Sequence, residues 1–197
     1  AAHGGEHDAE MMRLLVDAGA DVNKQGEDGS TALMVAAAHG GEHGAEMMRL
    51  LVDAGADAKK QNKYGWTALM FAAQHGGEHA EAMMQTLVDA GADLDARGKD
   101  ARGKSGKTAL ELLRDRDDAS GPEVAARLAA RPTLNAALFT ATDADGVRAA
   151  LEKGASAHAR RGGRTALMHS AQHGGEHGAG MMRLLVDAGA DANKQSE

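Results

Sequence analysis

Cysteine is absent from the 197-residue chain. That absence removes disulfides, thiolate metal ligands and thiol nucleophiles together. Aromatic residues make up only 2% of the chain. A core must therefore be assembled from Ala, Leu, Val and the 11 Met. Such a core suits helices, because Ala and Leu are strong helix formers while strands favour β-branched and aromatic residues. Proline occurs only twice, against 26 glycines placed at regular intervals, so glycine here punctuates structure and does not mark disorder. No apolar run approaches the roughly 20 residues of a membrane span. No signal-peptide pattern opens the chain, which starts at Ala1. A net charge of −7 argues against bulk nucleic-acid binding and leaves room only for local basic patches. The missing cysteine and missing signal lean toward the cytoplasm; a processed N-terminus would also fit an extracellular location.

What the chain has in abundance is repetition. MMRLLVDAGAD occurs at 11–21, 47–57 and 181–191, and HGGEH at 3–7, 39–43, 75–79 and 173–177. His3, His39 and His75 step by 36 residues, as do Gly19, Gly55 and Gly91. Thr-Ala-Leu recurs at Thr31, Thr67, Thr108 and Thr165. In the unit 28–62 the spacing predicts a first helix through Leu33, Met34, Ala36 and Ala37, capped by Thr31 and ended at His39-Gly40-Gly41. A second helix is expected from about Ala45 to Ala54, with Met47, Met48, Leu50, Leu51 and Val52 as its apolar stripe. Gly55 ends it, and a polar stretch through Asp57, Lys59 and Asn62 leads onward. A unit this short cannot bury its own stripe, but stacked copies can.

These motifs resemble the ankyrin-repeat family. Gly65-Trp66-Thr67-Ala68-Leu69-Met70-Phe71-Ala72-Ala73 is similar to the family's first-helix signature, and Leu51-Val52-Asp53-Ala54-Gly55-Ala56-Asp57 to the end of its second helix. Ala68 and Met70 stand where the family usually has Pro and His. The family period is about 33 residues. The extra length falls between the helices, at HGGEH. The resemblance implies an all-α solenoid with polar, β-hairpin-like fingers, and a non-enzymatic scaffold that binds a protein partner.

Two blocks are expected. The first spans 1–131, with a partial repeat 1–27, repeats 28–63 and 64–104, and a closing cap-like repeat 105–131. The second spans 132–197, with a degenerate opening repeat 133–161 and a repeat 162–197. A closing cap followed by an opening repeat places the boundary near Arg131-Pro132. The second helix of the cap is expected to start at Pro122, and that of the degenerate repeat to span Val147–Glu152. The start matches the interior of a first helix and the end stops just before a new unit. That pattern fits a window of a longer array, or subunits that associate end to end through open half-repeats into a filament.

Two patterns invite chemistry. Gly98–Ser105 satisfies the P-loop pattern, yet Ala92-Asp93-Leu94-Asp95 is no buried strand. A tandem duplication of DARGK at 95–99 and 100–104 accounts for the match. What remains is a locally basic finger, Arg97, Lys99, Arg102, Lys104 and Lys107, suited to an anionic partner. The second pattern is HGGEH, which holds eight of the ten His. Its imidazoles and carboxylates are potential ligands of a divalent metal: His3, Glu6, His7, His39, Glu42, His43, His75, Glu78, His79, His173, Glu176 and His177. Stacked loops would array them as a ladder that responds to metal or to pH. The competing account is structural: His suits a helix C-terminus, Gly turns the chain, and Glu suits the next helix start. The Met pairs read as core and the four Thr as caps. Tyr64 and Trp66, at a finger and a helix start, are candidate partner contacts, which the resemblance places on the concave face. No triad or acid–base pair accompanies any of these, so no enzyme and no cofactor beyond a metal is expected.

Overall fold

The computed structural model describes residues 4–99, 106–116, 121–161, 164–173, 175–190 and 192. Among these the architecture is helical: α1 (Gly4–Asp17), α2 (Ala32–His39), α3 (Gly41–Asp53), α4 (Ala68–His75), α5 (Ala80–Asp89), α6 (Ala109–Arg114), α7 (Gly121–Leu138), α8 (Ala144–Glu152), α9 (Ala166–Ala171) and α10 (Gly175–Asp187). A single 3-10 turn, Gly77–His79, precedes α5. The only strands described, β1 (Arg160–Arg161) and β2 (Arg164–Thr165), pair antiparallel as a minimal hairpin. No helix among the described residues is long and apolar enough to cross a membrane.

Each first helix starts at a threonine. Thr31, Thr67, Thr108 and Thr165 accept hydrogen bonds from the backbone N–H of Met34, Met70, Glu111 and Met168 at 3.4, 3.4, 3.2 and 3.2 Å. Thr108 completes a capping box, since the Glu111 carboxylate accepts the Thr108 N–H at 2.8 Å. At the other end of α4, Arg116 stands where the earlier repeats carry His. It donates to the Gly77 carbonyl at 3.1 Å, a cation near a helix C-terminus.

The chain divides into two compact units, residues 1–128 and 129–197. In the first unit α2 packs on α3 and α4, α4 on α5 and α6, and α3 on α1 and α5. First helices therefore stack in one row and second helices in another. The core is Leu33, Met34, Leu51, Met48, Leu69, Met70, Met84 and Leu87, threaded by Ala36, Ala37, Ala72 and Ala73. Val124, Ala125 and Leu128 of α7 join it. In the second unit α10 packs on α8 and α9, around Leu138, Val147, Ala159, Ala166, Met181 and Leu185. α7 runs through Pro132 without a break. The units part at Leu128, whose carbonyl lies four residues before Pro132 and so loses its usual helical donor.

The second helices begin earlier than the glycine pair suggests. α3 starts at Gly41, not near Ala45. Gly40 and Gly41 make the link with φ of 63° each, and Gly40, at ψ −168°, sits in a region only glycine occupies at ease. Gly41, Glu42 and His43 then form the first turn, with Glu42 favourably placed at its positive end. α8 likewise begins at Ala144, because the Asp143 carboxylate accepts the Gly146 N–H at 2.8 Å and caps it.

Gly40 is also held by its neighbour. A Cβ there would lie 2.4 Å from the backbone oxygen of His75 in the next repeat, whereas a Cβ on Gly41 would meet nothing within 4 Å. Gly40→Ala should therefore cost about 3 kcal/mol or more, and Gly41→Ala only the strain of its positive φ, about 1–2 kcal/mol. Urea unfolding midpoints of the two variants measure this; equal losses would show that the inter-repeat contact is not the cause.

Candidate functional site

The fingers are hydrogen-bonded from one repeat to the next. Asn23 donates from Nδ2 to the Gly55 carbonyl at 3.0 Å and accepts the Asp57 N–H at 2.7 Å. Gln25 donates to the Gln61 carbonyl at 3.1 Å. The Lys63 N–H donates to the Asp28 carbonyl at 2.9 Å, and the Lys99 N–H to the Tyr64 carbonyl at 2.8 Å. Asn62 is the knot of the second finger. Its buried Oδ1 accepts the N–H of Tyr64 at 3.0 Å and of Trp66 at 2.9 Å.

This framework presents a groove of about 320 Å3 lined by Asp28, Asn62, Tyr64, Trp66, Phe71, Gln74 and His75. Trp66 and Phe71 lie with ring centroids 5.0 Å apart and planes inclined by 52°, an arrangement aromatic pairs favour. The His75 ring stacks beyond Phe71 at 6.4 Å. Gly98, from the following finger, leaves room for the indole: a Cβ there would lie 2.9 Å from Trp66 Nε1. Tyr64 is 61% exposed at the rim. Asp28 accepts the Ser30 N–H and hydroxyl at 2.9 and 2.8 Å, which hold its carboxyl below the ordinary range and keep it anionic. The groove thus offers an apolar aromatic floor beside one fixed negative charge.

Of the predicted partner contacts, Tyr64 and Trp66 line this groove. The basic finger is partly neutralised by neighbouring carboxylates. Arg97 grips Glu111 with two nitrogens at 3.1 and 3.2 Å and also donates to the Gly106 carbonyl. Lys107 pairs with Asp115 at 2.6 Å. Arg102 and Lys104, and most of the P-loop match, lie outside the described residues.

The predicted metal ligands are spread apart. His39 sits on the α2 terminus with Nδ1 3.3 Å from the Val35 carbonyl, while Glu42 and His43 are exposed on the first turn of α3. His75 packs on Phe71 in the groove, and His79 lies 3.7 Å from Glu78. Glu176 and His177 are exposed on the first turn of α10. His3 and the side chains of Glu6 and His7 lie outside what is described. Among the described residues no three His, Asp or Glu side chains gather around one point. His173 does have a partner that sequence reasoning did not single out, His169, with their Nε2 atoms 3.5 Å apart. Partial burial first, then the charges of His173, Arg164 and Arg161, hold His169 below the ordinary imidazole range.

Phe71, Gln74 and Asp28 were also not singled out. A signal for them exists. Over 28–43 and 64–79, otherwise identical, the copies differ at Asp28/Tyr64, Ser30/Trp66, Val35/Phe71 and Ala38/Gln74, and the copy near the end has Arg164, His169 and Gln172 at the last three of these positions. Tyr64, Trp66, Phe71 and Gln74 all line the groove.

A family model of three ankyrin repeats matches residues 1–98 and, overlapping, 43–130, and a single-repeat model matches 162–197. The chain belongs to the ankyrin-repeat family, whose repeats are typically non-catalytic and generally serve as protein-interaction scaffolds. No curated protein sequence matches it significantly.

The Glu111 carboxyl is held below its ordinary range, first by the Thr108 N–H and then by Arg97. Its contribution is present above the ordinary carboxylate pKa and is lost as pH falls through the depressed value in the folded chain. Glu111→Gln should lower the melting temperature at pH 7 and converge on the parent well below pH 4. Melting curves across pH test this; a constant offset would deny the electrostatic origin.

Proposed function

We propose that the chain is a non-enzymatic ankyrin-repeat scaffold whose partner protein seats an apolar anchor on Trp66 and Phe71. One observation carries this reading: the stretches 28–43 and 64–79 differ only at the positions of Tyr64, Trp66, Phe71 and Gln74, and all four of these side chains line one groove. Residues free to vary on a fixed scaffold are where specificity can be written. The aromatic pair supplies contact area at little entropic cost, and Tyr64 and Asp28 supply polar rim contacts. Lys99, exposed on the following finger, extends the surface toward an acidic segment of the same partner. In this reading the chain forms two ankyrin blocks parting near Arg131-Pro132, and the groove lies in the first.

The test is affinity capture with the full chain, followed by titration of each recovered protein against Phe71→Ala and Tyr64→Ala. Phe71→Ala should weaken the true partner by about 30-fold with the helical content unchanged. A partner bound equally by both variants and the parent would place the interface elsewhere.

A second reading rests on a separate patch. Met11, Leu14, Leu15 and Val35 are large apolar side chains that are each more than half exposed. Met11, Leu15 and Val35 line a second groove of about 320 Å3 with Met12, Ala36, His39 and Met47. Exposed apolar area of this kind is a surface for association, here with a second copy. Sedimentation velocity over a wide concentration range should then show mass increasing with concentration, and Leu15→Lys should abolish the increase. A single monomer at every concentration would remove this reading.

A further inference from the structure

The second unit holds a pair of histidines with the bite of a metal chelate. His169 lies on α9, and His173 follows one turn later. The Gln172 N–H donates to the His169 carbonyl and the His173 N–H to the Ser170 carbonyl, at 3.1 and 3.2 Å. These bonds wind the chain on past the end of α9, so the two side chains stay on one face, as residues four apart do. The Nε2 atoms come within 3.5 Å, with ring centroids 5.1 Å apart and planes at 79°. Two imidazole nitrogens bound to one tetrahedral zinc at 2.0–2.1 Å are separated by about 3.3–3.4 Å. The pair is thus spaced for chelation with little movement.

Its surroundings favour the ligand form. The His169 ring packs against Phe139 at 5.7 Å, and its partial burial disfavours the protonated ring. Neutral imidazole is the form that binds metal. His173 is exposed, which leaves the site open to an ion and its remaining water ligands. The other repeats serve as internal comparison. The position of His169 is Val35 in one copy and Phe71 in another, so His39 and His75 have no imidazole one turn behind them.

We propose that His169 and His173 form a two-imidazole site for a divalent transition ion such as zinc, completed by water. It goes beyond the partner-binding reading and does not depend on it. It also differs from a ladder built on HGGEH, since its second ligand lies outside that motif and Glu176 and His177 take no part. Arg161 and Arg164 act on His169 with positive charge, which opposes a bound cation and sets the site's affinity below that of an isolated pair.

The experiment is calorimetric titration of the full chain with zinc ions at pH 7.5. One ion per chain should bind ahead of any weaker uptake. His173→Ala should abolish that first event, and so should His169→Phe, which restores the residue of the equivalent position 71 and so keeps the fold. His177→Ala should leave it intact, and Arg164→Ser should tighten it several-fold. Circular dichroism confirms that each variant is folded. Persistence of the first event in folded His169→Phe, or its loss in His177→Ala, would overturn the proposal, as would the absence of stoichiometric binding by the parent chain.

Discussion

Everything in the first unit depends on how closely one repeat can approach the next. The packed first helices α2 and α4 carry Ala36, Ala37, Ala72 and Ala73, all essentially buried, beside Leu33, Met34, Leu69 and Met70. Their turns meet through Gly40, whose missing side chain lets the backbone press on the His75 carbonyl. Where aromatics are this scarce, cohesion has to come from close backbone approach and from Leu and Met in the space between the rows. Dispersion contacts of that kind are individually small and collectively decisive, and a gap of even an ångström forfeits much of them. Gly40 is therefore part of the packing surface as well as of the turn.

The same constraint explains the fate of the polar groups. A finger projecting from a close-packed stack must satisfy its own backbone or draw on the next finger. Asn62 satisfies the backbone of its own finger, while Asn23 and Gln25 bond to main-chain groups of the next one and so fix the first finger relative to its successor. Charges within reach are used likewise. Arg97 binds Glu111 while Glu111 caps α6, and Lys107 binds Asp115 at the other end of that short helix. A run of basic residues that looks like a surface for an anion is, in two of its members, engaged by carboxylates: Arg97 ties its finger to the following repeat and Lys107 pairs within its own.

Much of the fold was legible because duplication wrote the same rules several times. The Thr caps, the Met and Leu stripe and the polar fingers follow from residue type and spacing. The start of the second helix was not legible, because consecutive glycines read as a break. Local propensity cannot show that a helix opens directly after Gly40, with Gly41 as its first residue; Gly40 is set by its contact with the neighbouring repeat. The groove was half legible. Tyr64 and Trp66 stood out as rare aromatics, whereas Phe71 and Gln74 emerge only when copies are laid over one another. His169 escaped for a related reason: attention went to the histidines that recur, and this one does not.

That contrast bears on where function can reside in a chain built by copying. A residue present in every repeat is tied to what every repeat must do, which here is to cap, to turn or to pack. His39 and His75 at their helix ends fit that description, and the conserved glycines do so by geometry. A residue that differs between copies has been released from that duty, since the scaffold stands with Val, Phe or His at one and the same position. Val35, Phe71 and His169 all lie on first helices, Val35 about half exposed and Phe71 and His169 partly buried. One lines an apolar edge, one an aromatic groove, and one faces a second imidazole. The stack fixes where that position points, and the substituted side chain determines what it can hold.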